Sequence, residues 1–155
     1  MTATLPTPKS DAYTLGEALR IDFPLAPVYS PPPNEAARET ILLKKLGTRG
    51  WGRMHHFRYF YQPEWGDSRC KPLSPRALES FYRFIEAVQI PDNCVPSLFL
   101  TDDGGLELRW ELNGNDVQVE FSASRIEYYL PHVGLESHFV SHSDALWLAQ
   151  ELSQR

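Results

Sequence analysis

The sequence predicts an α+β domain: an antiparallel β-meander of three to four strands packed on one face by helices. Three observations carry that prediction. From Leu106 to Leu130 apolar residues alternate with polar ones, in runs parted by short turn signals. Between Pro75 and Val88 apolar residues recur at three- and four-residue steps, the period of one helix face. The strands follow one another without a helix between them, which excludes the alternation of a parallel βαβ sheet.

The elements follow in order. The proline-bearing segment 1–33 reads as a flexible N-terminal stretch, and 34–155 as a single domain. Within the former, Thr14 to Arg20 has the capping box of a short helix, Thr14 with Glu17. "DFPLAPVYSPPPN" is too rich in proline for helix or central strand and should run extended. Asn34 is placed to cap a helix, "EAARETILLKKLG", with Ala37, Ile41 and Leu42 on one side and Gly47 as its stop. In the next stretch Phe57, Tyr59 and Tyr61 alternate with Arg58, Phe60 and Gln62, which reads as a strand. Trp65 to Ser68 reads as a loop. Ser74 and Pro75 open a helix as N-cap and first helical residue, with Leu78, Phe81, Tyr82, Ile85 and Val88 as its apolar stripe.

The meander comes next. Leu106, Leu108, Trp110 and Leu112 share one face of a strand. Asn113-Gly114-Asn115-Asp116 supplies a hairpin turn, and Val117, Val119 and Phe121 continue the apolar face. Ile126, Tyr128 and Leu130 repeat the scheme, and "SDALWLAQELSQR" closes the chain as a helix.

Composition narrows the function classes. With 42% hydrophobic and 23% charged residues the chain is an ordinary globular one. No apolar run reaches the ~20 residues of a membrane span, and the N-terminus lacks the basic flank and apolar core of a secretory signal. A cytoplasmic protein with no membrane association is expected. Cys70 and Cys94 lie far apart, and a disulfide between them stays an open alternative to two free thiols. Net charge is −5, unevenly spread. Residues 42–71 hold seven basic against two acidic residues, and residues 102–155 ten acidic against three basic. Two electrostatic faces are therefore expected.

Residues 47–66, "GTRGWGRMHHFRYFYQPEWG", combine six aromatic residues, three arginines and two histidines. Aromatic faces and cations together are what single-stranded nucleic acid requires. Trp, Tyr and Arg are equally the residues that dominate protein interfaces. The candidate binding residues here are Arg49, Trp51, Arg53, His55, His56, Arg58, Tyr59 and Trp65. The meander adds Glu107, Arg109, Glu111 and Glu120 on its polar face, a solvated surface or an acidic docking surface.

Other chemistry is thin. His132, His138 and His142, with Glu136 or Asp144, could be spaced for zinc, but no HExxH or paired-cysteine signature occurs. Cys70 lies between Arg69 and Lys71 without an assignable catalytic partner. Asp102-Asp103-Gly104-Gly105 reads as a tight turn rather than a calcium loop. No phosphate-binding glycine motif and no GxSxG elbow is present, so no cofactor and no catalytic residue is expected.

Trp65-Gly66-Asp67, Pro72 to Ala77, Pro96, Asp103-Gly104-Gly105, Leu108 and Trp110 together resemble a family of small, largely uncharacterised bacterial proteins. Its pattern joins a Trp-Asp-Gly-like loop and a proline-started helix to an Asp-Gly-Gly…Leu-x-Trp hairpin. The resemblance covers less than half the chain and carries over no catalytic residue. It implies a place in mobile-element or toxin-neutralising gene pairs. The preferred expectation is a non-enzymatic protein-binding module, antitoxin- or immunity-like. The alternative is a nucleic-acid binder acting through the basic aromatic segment 44–71.

Overall fold

A computed structural model of the chain describes residues 33–61, 70–130 and 137–154. Among these residues are three α-helices and a five-stranded antiparallel sheet: α1 (Pro33–His55), α2 (Pro75–Ala87), β1 (Ser97–Leu100), β2 (Leu106–Leu112), β3 (Asn115–Phe121), β4 (Ile126–Tyr129), β5 (His138–Val140) and α3 (Ala145–Ser153). The strands lie in sequence order, β1-β2-β3-β4-β5, so the fold is α+β with a plain meander. The sheet has five strands rather than three to four. The added strand is β5, whose three residues are too few to show an alternation. The expected helix at Thr14 to Arg20, the proline segment up to residue 32 and the Trp65 to Ser68 loop lie outside the described residues. Pro33 and Asn34 are already helical, so Asn34 lies within α1 rather than capping it.

α1 is two helical segments joined at Gly47, where φ is 68° and ψ −178°. Gly47 does end the first segment, as the sequence suggested, but a second begins at once. Trp51 donates its indole N–H to Glu39, 12 residues away, and Arg58 donates to Glu35, 23 residues away. A straight helix would separate those pairs by ~18 and ~35 Å. The chain therefore doubles back at Gly47 into a helical hairpin. Gly50 lets the segments close up, since a Cβ there would sit 2.4 Å from the Leu46 Cβ. Leu42, Leu46 and Met54 are buried in the core, whereas Ala37, expected on the apolar side, is exposed.

The strand expected from Phe57 onward is not formed as far as Tyr61, and Gln62 lies outside the described residues. Helix continues to His55, and a π-helical turn spans His56–Phe60, closed by Tyr61 N–H donating to His56 O at 2.8 Å. Trp51, His55 and Tyr59 meet in turn along the segment as tilted ring pairs, with centroids 4.3 and 5.5 Å apart. Those contacts need four-residue spacing, and they override the strand preference of aromatic residues, which is weak outside a packed sheet.

α2 forms as its sequence indicated. The Ser74 side chain accepts from Ala77 N–H at 3.4 Å, and Pro75 starts the helix. It buries Phe81, Tyr82, Phe84 and Ile85, with Leu78 partly buried. Opposite stand Leu106, Leu108, Trp110, Val117, Val119, Phe121 and Ile126, all buried on one face of the sheet. Phe121 contacts Phe81 and Phe84 at centroid distances of 5.6 and 5.3 Å. Burying a large apolar side chain contributes ~1.5–3 kcal/mol, so this face dominates the core. α3 adds Ala145, Leu148, Ala149 and Leu152 against α2. Lys45 ties α1 to the end of α2, donating to Val88 O at 2.5 Å. Its ammonium pKa is lowered by burial and by Lys44, against the pull of Glu86.

Two turns position the strands. Asn113 and Gly114 both have positive φ, 53° and 77°, the geometry of a two-residue hairpin that matches strand twist. Residues 101–105 turn tightly between β1 and β2, as expected, and dock on residues 70–74: Ser74 N–H donates to Gly104 O at 2.8 Å. A Cβ at Gly104 would lie 2.2 Å from Pro72 O. Cys70 and Cys94 are free thiols.

Candidate functional site

Helical geometry sorts the basic aromatic window onto two faces. Trp51, His55 and Arg58, at i, i+4 and i+7, turn toward the first segment of α1. His55 Nε2 lies 2.8 Å from Glu39 Oε2, beside the Trp51 bond to the same carboxylate. Arg58 pairs with Glu35, donates to the Tyr82 hydroxyl at 3.2 Å and lies 4.9 Å from the Tyr59 ring centroid. Burial, the largest single influence, works to lower the Arg58 pKa, but the Glu35 hydrogen bond together with the charges of Tyr82, Tyr59 and Glu35 raises it overall. The Tyr82 hydroxyl is pushed up to about 12, chiefly by burial. These side chains hold the hairpin together, and Tyr59 itself is exposed.

Arg49, Arg53 and His56, again at i, i+4 and i+7, point the other way, toward the edge of β1. Arg53 donates to Leu98 O at 2.8 Å and its guanidinium lies 5.0 Å from the Phe99 ring centroid. The Leu98 carbonyl faces outward because β1 bonds β2 through the alternate residues, the ladder that ends in Thr101 N–H to Gly105 O. Arg53 therefore caps one outward carbonyl of the β1 edge. Between this helix face and β1 lies a cleft of about 670 Å³. The arginines and Trp51 of the nucleic-acid reading do not share one surface, because Trp51 and Arg58 are committed inside the hairpin. Trp65 lies outside the described residues.

The polar face of the sheet does bring its predicted residues together. Register places Phe99, Glu107, Glu120, Glu127 and Phe139 in one row across all five strands. Beside it runs a second row of Ser97, Arg109, Gln118 and Tyr129, and beyond that Glu111 faces Asp116. Side chains directly opposite across strands lie ~4.5–5.5 Å apart at Cβ. Three carboxylates thus stand shoulder to shoulder, with a half-exposed phenylalanine at each end. Arg109 and Arg53 flank the Phe99 ring, and Arg125 stacks on Phe139 at 3.6 Å.

Glu107 is satisfied by Arg109 and by Gln118, which donates at 2.9 Å. Among the described residues neither Glu120 nor Glu127 forms a side-chain hydrogen bond or ion pair. Desolvation, then Asp103, Glu127 and Glu107, push the Glu120 carboxyl above its ordinary value against the opposing pull of Arg125. Glu120, Glu127, Gln118, Tyr129 and Ser137 line a depression of about 320 Å³ on this face.

Glu127, Phe99, Phe139 and Arg125 went unrecognised in the sequence. Alternation puts Glu127 opposite Ile126 on the polar face, but only register aligns it with Glu107 and Glu120. Of the histidine set only His138 and His142 are described, and each is engaged in a separate contact. His138 stacks on Tyr128 at 5.3 Å, and His142 is held between Ser80 and the Ala123 carbonyl, 3.2 Å from Nε2. His132 and Glu136 lie outside the described residues, among which no group of three potential ligands could hold a metal ion. Cys70 Sγ lies 3.7 Å from Asp102 Oδ1. No helix among the described residues is long and apolar enough to cross a membrane.

No family model, curated protein or solved structure matches the chain.

Proposed function

We propose that the protein is a non-enzymatic binding module whose open sheet face docks a basic protein partner. The observation that carries this reading is the row Glu107–Glu120–Glu127 in direct cross-strand register between two exposed phenylalanines. Like charges directly opposite one another cost stability, and a lysine- or arginine-rich surface laid across the row would offset that cost. Phe99 and Phe139, 39% and 48% exposed, offer apolar contact at the ends. Complementary charge of this kind speeds encounter and sets register more than it raises affinity. In its finer form the proposal is an antitoxin- or immunity-like role, the acidic face covering a basic toxin such as a nuclease.

Co-expression with the product of the neighbouring gene tests it. A complex that weakens with salt, and is lost in the Glu120→Lys/Glu127→Lys double variant, is the expected result. Growth arrest by the partner should return with the same variant. A complex indifferent to both charge reversal and salt would refute the docking face.

A further inference from the structure

α1 carries three glycines, and two have structural reasons. Gly47 holds a positive φ, and Gly50 lies against Leu46. Gly52 has neither. A Cβ added there would meet nothing within 4 Å. Glycine inside a helix costs ~0.5–1 kcal/mol relative to alanine, so this position gives up stability without a packing return. What it leaves open is the cleft beside β1, which Gly52 lines between Arg49 and Arg53.

We propose that this cleft is a binding site for a small organic anion with a flat apolar body. One wall is the helix face of Arg49, Arg53 and His56, and the floor is apolar, from Phe57, Phe99 and Leu100. At about 670 Å³ the cleft falls within the range of small-molecule sites. Arg49 is exposed and, among the described residues, has no carboxylate partner. Arg53 is held by a neutral carbonyl and stacks on Phe99, so its charge is likewise not cancelled by a carboxylate. Asp102, at the far end beside Cys70, orients an anion toward the arginine wall. Tyr61 also lines the cleft, with its neutral hydroxyl available as a hydrogen-bond donor; desolvation, then Cys70 and Asp102, hold that hydroxyl above its ordinary value. A planar ring would lie over the aromatic floor, with its carboxylate or similar group against Arg49.

The test uses the full isotope-labelled chain titrated with naphthalene carboxylate, and with naphthalene methanol as the neutral analogue. Saturable shifts of the Gly52, Arg53 and Thr101 amides are expected with the carboxylate. The neutral analogue should bind about tenfold more weakly, the equivalent of ~1.4 kcal/mol. Arg49→Glu, on the surface, should weaken the carboxylate by a similar factor. Gly52→Leu should abolish binding by filling the cleft, and Gly52→Ala should leave the fold at least as stable. Absence of saturable shifts, equal affinity for the neutral analogue, or undiminished binding to folded Gly52→Leu or Arg49→Glu would overturn the site.

Discussion

At Gly47, φ 68° with ψ −178° is a conformation essentially confined to glycine. No neighbour blocks a side chain there, so any penalty for substitution is backbone strain alone. Gly47→Ala should destabilise the domain by ~1–3 kcal/mol, read as a lower denaturant midpoint with an unchanged slope. An unaltered midpoint would mean that the hairpin does not depend on this residue. The sequence marked Gly47 as a stop because helices end at glycine. It did not show that the chain reverses, because reversal is recorded in the distant pairs Glu39–Trp51 and Glu35–Arg58. The same holds for the neighbouring histidines. His55 belongs to the hairpin seam and His56 to the cleft, a division made by one residue's 100° of helix rotation.

The elements show where pattern suffices. Strict alternation in β2 and β3 indicated which side chains are buried, since a strand half covered by helices has one choice of face. The aromatic run from Phe57 had no such constraint: its alternation fits a strand, its four-residue spacings fit a helix, and the ring contact of Tyr59 with His55 favoured the helix. Within the sheet, the row of carboxylates makes a pH-dependent prediction. The folded pKa of Glu120 lies above its ordinary 4.5. As pH rises through the interval between these values, the unfolded chain loses its proton first. This contribution to stability is therefore highest below 4.5 and falls as pH rises through the folded pKa. Glu120→Gln should stabilise the protein at neutral pH, by ~0.2–1 kcal/mol for each like-charged pair relieved. Thermal unfolding of both proteins should converge below the ordinary carboxylate range. A constant difference across pH would show that the row does not interact.

At the scale of the domain, the described helices pack on one face of the sheet, and Phe121 sits where they meet, against Phe81 and Phe84. Phe121→Ala should cost ~3–5 kcal/mol. Helical and aromatic circular dichroism should be lost in a single transition, because α2 and the sheet have no separate cores. Two separated transitions would contradict that coupling. The sequence by itself determined the α+β class, the capped start of α2, the β2–β3 hairpin and the buried face, because these follow from local periodicity and turn chemistry. Only the tertiary structure decided that α1 folds back on itself, that β5 completes the sheet, and that Glu107, Glu120 and Glu127 form a row. Those features depend on pairings between residues distant along the chain, and burial and strand register set such pairings once the whole core has closed.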